Sequence, residues 1–139
     1  MTQIDKIDLG VMLKPKSIVF DLDDTICFPN LDIQDTNGRY AMAKPNMPVI
    51  VKMRELEAMG YEIIISTARR MLTHNGNIEA IIEDVGDVTR EWLDKYNVPW
   101  TKIEFGKPYS STYYVDDKAM RPEEFLETNF TTPEESDTI

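Results

Sequence analysis

Asp21, Asp23 and Asp24 crowd the end of an apolar run, Ser17-Ile18-Val19-Phe20, with Thr25 directly after them. Ile18, Val19 and Phe20 have the β-branched and aromatic character of a fully buried strand. Buried strands do not normally end in clustered acids, because like charges a few ångströms apart resist ionising beside one another. A hard divalent cation is the simplest group to fill the gap between them. Tyr113-Tyr114-Val115 repeats the pattern near the other end of the chain and stops in Asp116-Asp117. Two parallel strands that deliver carboxylates at their C-terminal ends would build a site in the crevice there, where open α/β sheets bind ligands. Mg²⁺ is usually held by one or two carboxylates plus waters and phosphate oxygens, so the two acidic ends predict a half-site for Mg²⁺ and a phosphorylated substrate.

The elements that must position these groups follow from pattern and punctuation. A first strand is predicted at about 17–22. Residues 24–47 hold Pro29, Asn30, Asn37, Gly38 and Pro45, turn formers that predict a hairpin-like flap over the site. Pro48 opens a helix whose apolar residues Val49, Ile50, Met53 and Leu56 keep helical spacing, and Gly60 ends it. A second strand at about 61–66 leads into a polar loop with Arg69, Arg70 and His74. The next helix carries the apolar stripe Val85, Val88, Trp92 and Tyr96, which places Trp92 and Tyr96 in the core. Strands at about 101–105 and 111–115 and a short helix from Pro122 to about Leu126 complete the prediction. The alternation from Ile7 to Leu13 within residues 1–16 suits an edge strand or hairpin arm, and 127–139 reads as a mobile, solvated tail. Alternating strands and helices predict an α/β fold, a parallel sheet with helices on both faces.

At 139 residues the chain is read as one domain, 1–139, long enough for a single ordinary core. A formal net charge of −10 makes it a poor non-specific binder of nucleic acid or of an anionic membrane. Phosphate recognition must therefore come from a few local cations and a metal. Cys27 is the only cysteine, so no intramolecular disulfide forms. With no long apolar run and no secretory pattern, a cytoplasmic location is expected.

Asp21-Leu22-Asp23-Asp24-Thr25 resembles the first motif of the haloacid dehalogenase (HAD) phosphatases, Asp-x-Asp-x-Thr. The family's three further motifs are matched in order. Ser66 or Thr67 ends the second strand, Gly106-Lys107-Pro108 supplies the lysine, and Asp116-Asp117 supplies the acidic pair. The segments 60–70, 91–99 and 115–125 resemble the small branch of that superfamily associated with capsule polysaccharide biosynthesis. The likeness covers about Lys16 to about Phe125.

This resemblance implies a Rossmann-like fold, here with no room for the large cap domain that many relatives insert. It implies a Mg²⁺-dependent phosphomonoesterase in which Asp21 is the nucleophile and forms an aspartyl-phosphate. Asp23 would be the general acid and base, with its backbone carbonyl also on the metal. Asp116 would be the second metal carboxylate, and Asp117 would hold a metal-bound water or pair with Lys107. Thr67 and Lys107 would grip the phosphoryl group. Thr25 and Ser66 would support substrate binding, and Arg69 could recognise a second phosphate or sugar hydroxyls. Many relatives have Gly where this chain has Asp24, so an extra carboxylate stands beside the metal site. The implied substrate is a sugar phosphate or similar small metabolite, in a site that a neighbouring subunit of a homo-oligomer could cover.

Other readings have discriminating features. An EF-hand-like Ca²⁺ loop would need Gly where Ile26 stands. A nucleotide or polynucleotide 3′-phosphatase shares the motifs, but the charge counts against long nucleic acid. Phospho-accepting receiver modules place their acceptor on a later strand, whereas here Asp21-x-Asp23 comes first and the acidic pair last. A silent phosphate-binding module would not require all four motifs.

Overall fold

A computed structural model describes residues 16–133. In chain order its elements are β1 (Ser17–Asp21), β2 (Cys27–Phe28), α1 (Thr36–Ala41), β3 (Lys44–Pro45), α2 (Met47–Ala58), β4 (Glu62–Thr67), α3 (Ile78–Lys95), β5 (Lys102–Phe105) and α4 (Pro122–Glu127). Strands β1, β4 and β5 form a parallel sheet with β4 in the middle. Ile18 lies opposite Ile63, Phe20 opposite Ile65 and Asp21 opposite Ser66. Helices flank this sheet and no large cap domain is inserted, the Rossmann-like α/β arrangement that the alternating pattern predicts.

Phe20, Ile63 and Ile65 pack with Val49, Ile50, Met53 and Leu56 of α2, Trp92 and Leu93 of α3, and Phe125 of α4. Full burial of such a side chain is worth about 1.5–3 kcal/mol, so these contacts hold the strand ends firmly in place. Pro48 sits in the first turn of α2, and Gly60, at φ 105°, turns the chain out of it. The Asn77 side chain caps α3 by accepting from the Ala80 amide. Trp92 and Tyr96 pack with ring centroids 4.8 Å apart, Trp92 buried and Tyr96 at the edge of the core. No described helix is long and apolar enough to cross a membrane.

Three expectations change. The strand expected at 111–115 is absent: Tyr113 is 80% and Val115 99% exposed. The competing force is local. The Tyr114 hydroxyl donates to the Pro108 carbonyl (2.6 Å) and accepts from the Ser110 amide (2.8 Å), closing a side-chain-pinned loop that offers no ladder partner. The expected flap at 24–47 is more than a hairpin. Two-residue strands β2 and β3 pair antiparallel, with α1 between them packed on α3. The Trp92 indole donates to the Ala43 carbonyl (3.0 Å) and the Asn37 amide to Asp84 (3.0 Å), so the flap is fastened at both its base and its tip. The tail is docked as far as it is described: Phe130 packs against Tyr61 and Phe125, and the Tyr61 hydroxyl donates to the Thr131 carbonyl (2.8 Å). The edge strand suggested within residues 1–16 falls, but for Lys16, outside the described residues.

Candidate active site

The acidic turn is rigid because its apolar residues point inward. Leu22, Ile26 and Cys27 are fully buried, and the Leu22 carbonyl accepts from the amides of Thr25 (3.2 Å), Ile26 (2.8 Å) and Cys27 (3.3 Å). Asp21, Asp23 and Asp24 are therefore directed away from the core, toward a cleft of about 430 Å³ at the C-terminal ends of the parallel strands. Asp24 adopts φ 66°, a left-handed conformation that favours Gly and that Asp tolerates better than most residues.

Strands β4 and β5 bring the partners. Thr67, buried at the end of β4, lines the cleft, and its hydroxyl accepts from the Arg69 amide (3.1 Å). Ser66, opposite Asp21 in register, does not line the cleft. The amides of Gly106 and Lys107 donate to the Thr67 carbonyl at 3.2 and 3.1 Å. Gly106 is at φ 104°, and a Cβ there would lie 2.3 Å from Ile78 Cδ1, so only Gly lets the chain turn beneath α3. The turn delivers Lys107, whose ammonium lies 3.2 Å from Asp21 Oδ1. The Thr25 hydroxyl donates to Asp21 Oδ2 at 3.4 Å. Asp21, Thr25, Thr67 and Lys107 are thus brought to one end of the sheet, with Lys107 paired to Asp21.

Asp23 is held by Arg69. The guanidinium Nε lies 2.9 Å from Asp23 Oδ2 and Nη2 2.8 Å from Oδ1, while Nη1 donates to the Thr89 hydroxyl at 2.9 Å. The Tyr40 ring stacks over the guanidinium at 3.9 Å from its centroid. Arg69 is only 4% exposed. It lines the cleft as a buried clamp with its donors committed, because Thr89 and Tyr40 supply the partners that a buried guanidinium requires. Thr89 could have been found in the sequence as a polar residue on the apolar stripe of α3.

Arg70 and His74 are drawn off by Asp84. Arg70 Nε and His74 Nε2 both lie 2.8 Å from Asp84 Oδ2, and Asn37 donates to Oδ1 at 3.0 Å. These hydrogen bonds, that from Arg70 the strongest, hold the Asp84 carboxyl well below the usual carboxylate range. Asp84 ties the loop after β4, helix α3 and the flap together. Cys27 is buried, and desolvation reinforced by the Asp23 charge pushes its thiol up, which leaves it unreactive.

Asp116 and Asp117 are not brought to this site. Both lie on the exposed loop between β5 and α4, and neither lines the cleft. The strand expected to deliver them, at 111–115, does not form. The carboxylates at the cleft are Asp21, Asp23 and Asp24, with Asp23 already engaged by Arg69. Among the described residues no group of three or more His, Cys, Asp or Glu converges as a cage. Partial desolvation, with the charges of Asp23 and Asp21, pushes the Asp24 carboxyl above its ordinary range, a surplus of negative charge that a cation would relieve. Carboxylate oxygens are the donor type that a hard divalent cation takes.

No family model matches the chain, and no curated protein does. Among solved structures it is similar to a structural-genomics target from Vibrio cholerae, with 39% identity over 82% of this chain and 89% of that one and a TM-score of 0.72. It is also similar to a chain of the Pnkp1/Rnl/Hen1 complex (22% identity, TM-score 0.50). A second structure, of the Pnkp1/Rnl/Hen1 RNA repair complex, gives 21% identity and a TM-score of 0.52. These two likenesses cover 82% of this chain but only 34% and 32% of the longer ones, and they establish a shared fold. At the identity and mutual coverage of the first match, this chain belongs to the same family as the Vibrio cholerae protein.

Proposed function

We propose that the chain is a phosphomonoesterase of the haloacid dehalogenase type, acting on a small phosphorylated metabolite through an aspartyl-phosphate. One observation carries this reading: Asp21, paired with Lys107 at 3.2 Å, stands two residues from Asp23 at the mouth of one cleft, with Thr67 beside them. An Asp carboxylate oxygen attacks phosphorus and the ester bond breaks toward the leaving oxygen. Asp23 gives that oxygen its proton, then takes one from the water that hydrolyses the acyl-phosphate on Asp21. Lys107 and the Thr67 hydroxyl stabilise charge on the transferring group. Mg²⁺, held by Asp21 and Asp24 with phosphate oxygens, would supply charge neutralisation when bound.

The resemblance to capsule-biosynthesis phosphatases makes sugar phosphates the first substrates to try. Phosphate release should be measured from sugar phosphates, nucleotides and a 3′-phosphorylated oligonucleotide, with and without Mg²⁺, beside Asp21→Asn. Release that needs both Mg²⁺ and Asp21 supports the reading, and release from none of these substrates contradicts it.

A further inference from the structure

Every cation lining the cleft already has a carboxylate. Arg69 is bound by Asp23, Arg70 by Asp84 and Lys107 by Asp21, at 2.8, 2.8 and 3.2 Å. Asp21 and Asp23 both line the cleft, but Arg69 is buried and also holds Thr89, so a phosphate bound at Asp21 frees Lys107 rather than Arg69. A second phosphate on the substrate would meet Arg70 already neutralised, on a chain of net charge −10.

The loop after β5 contributes aromatic rings instead of charge. Tyr114 is held at its hydroxyl by Pro108 and Ser110, its ring lies 4.4 Å from the Lys107 ammonium, and half of it is exposed to the cleft and solvent. An aromatic ring pinned at its tip loses little freedom when something stacks on it, so it is pre-organised as a platform. Tyr109, half exposed, lines the same cleft, and Met71 and Leu72 add apolar wall from the loop after β4. The platform stands one residue-length from the ammonium that would grip the phosphate.

Resting on the phosphatase reading above, we infer that Tyr114 is a specificity-determining residue. The substrate is a phosphomonoester that carries one phosphate and an uncharged aromatic ring close to the ester oxygen. Aryl-bearing and nucleoside-type monophosphates meet this description, whereas plain sugar phosphates and bisphosphates do not.

Benzyl phosphate and cyclohexylmethyl phosphate test it, because their leaving alcohols match in size and closely in acidity and differ mainly in the flatness of the ring. With the full chain and Mg²⁺, kcat/KM for benzyl phosphate is expected to exceed that for the cyclohexylmethyl ester about threefold to tenfold, the scale of one aromatic contact. Tyr114→Leu should bring the ratio toward one, and Tyr114→Phe should restore most of it. The bisphosphate of para-xylylene glycol should be at least several-fold poorer than benzyl phosphate. Equal rates for the two monoesters, or a ratio unmoved in Tyr114→Leu, overturns the inference while leaving the phosphatase reading in place. Absence of Asp21-dependent release from both esters, with release kept from a plain sugar phosphate, overturns the inference alone, and absence of release from these and from the whole substrate panel overturns both.

Discussion

Arg69 grips Asp23 with two parallel bonds of 2.8 and 2.9 Å, from a position 46 residues further along the chain and almost wholly buried. The pair couples the turn after β1 to the loop after β4, and Thr89 and Tyr40 hold the arginine from behind. It fixes the orientation of the carboxyl proposed to move the proton, so Arg69 is a positioning residue.

Arg69→Lys should therefore reduce kcat more than it raises KM, because an ammonium cannot reproduce the two-pronged fork. Arg69→Met should also lower stability by about 2–4 kcal/mol, since it leaves Asp23 and Thr89 without their partner. Steady-state kinetics and urea midpoints check both. A raised KM with unchanged kcat would instead place Arg69 at the substrate.

Asp24 occupies left-handed backbone at φ 66° with its carboxyl pushed above the ordinary range by partial desolvation and by Asp23 and Asp21. Asp24→Gly should keep or raise the denaturation midpoint at neutral pH, because it removes both the backbone strain and the crowded charge. Asp24→Val should lower stability by about 1–2 kcal/mol, the cost of placing a β-branched residue there. Equal midpoints for the two variants would contradict this.

Asp84 sets an acid limit. Its carboxyl titrates lower in the folded chain than in the unfolded one, held down first by Arg70, then His74 and Asn37. The stability it contributes is full above the unfolded value, about pH 4, and is lost as pH falls from there toward the folded value. Asp84→Asn should be less stable than the parent at about pH 7, and the gap should narrow by about pH 3. Midpoints of urea unfolding across that range test the sign, and a gap that widens on acidification would refute it.

The C-terminal segment should matter for stability. Phe130 packs on Tyr61 and Phe125, and the Lys52 ammonium lies 4.9 and 5.2 Å from the Phe125 and Phe130 ring centroids. Phe130→Ala is expected to cost about 1–2 kcal/mol while leaving KM unchanged. No change in thermal midpoint would show that the segment does not dock in solution.

The sequence showed its strand ends because apolar runs that stop in charge or glycine have few interpretations. Asp21, Thr67 and Lys107 sit at the ends of β1 and β4 and just after β5, where that logic places them. The Asp23–Arg69 pair and the Asp84 cluster were not legible, because long-range ion pairs carry no periodicity. Tyr113-Tyr114-Val115 misled for a related reason. A three-residue apolar run suits a strand or a loop alike, and hydrogen bonds from one tyrosine hydroxyl decided between them. Phe130 was hidden in a polar tail whose composition outweighed a single aromatic residue.

The most direct measurement is to react the protein with a phosphoryl-labelled monoester that it hydrolyses, quench in acid and map the label. Label is expected on the peptide that contains Asp21 and absent in Asp21→Asn. Undiminished turnover by Asp21→Asn, or label on a different residue, would contradict the proposed chemistry.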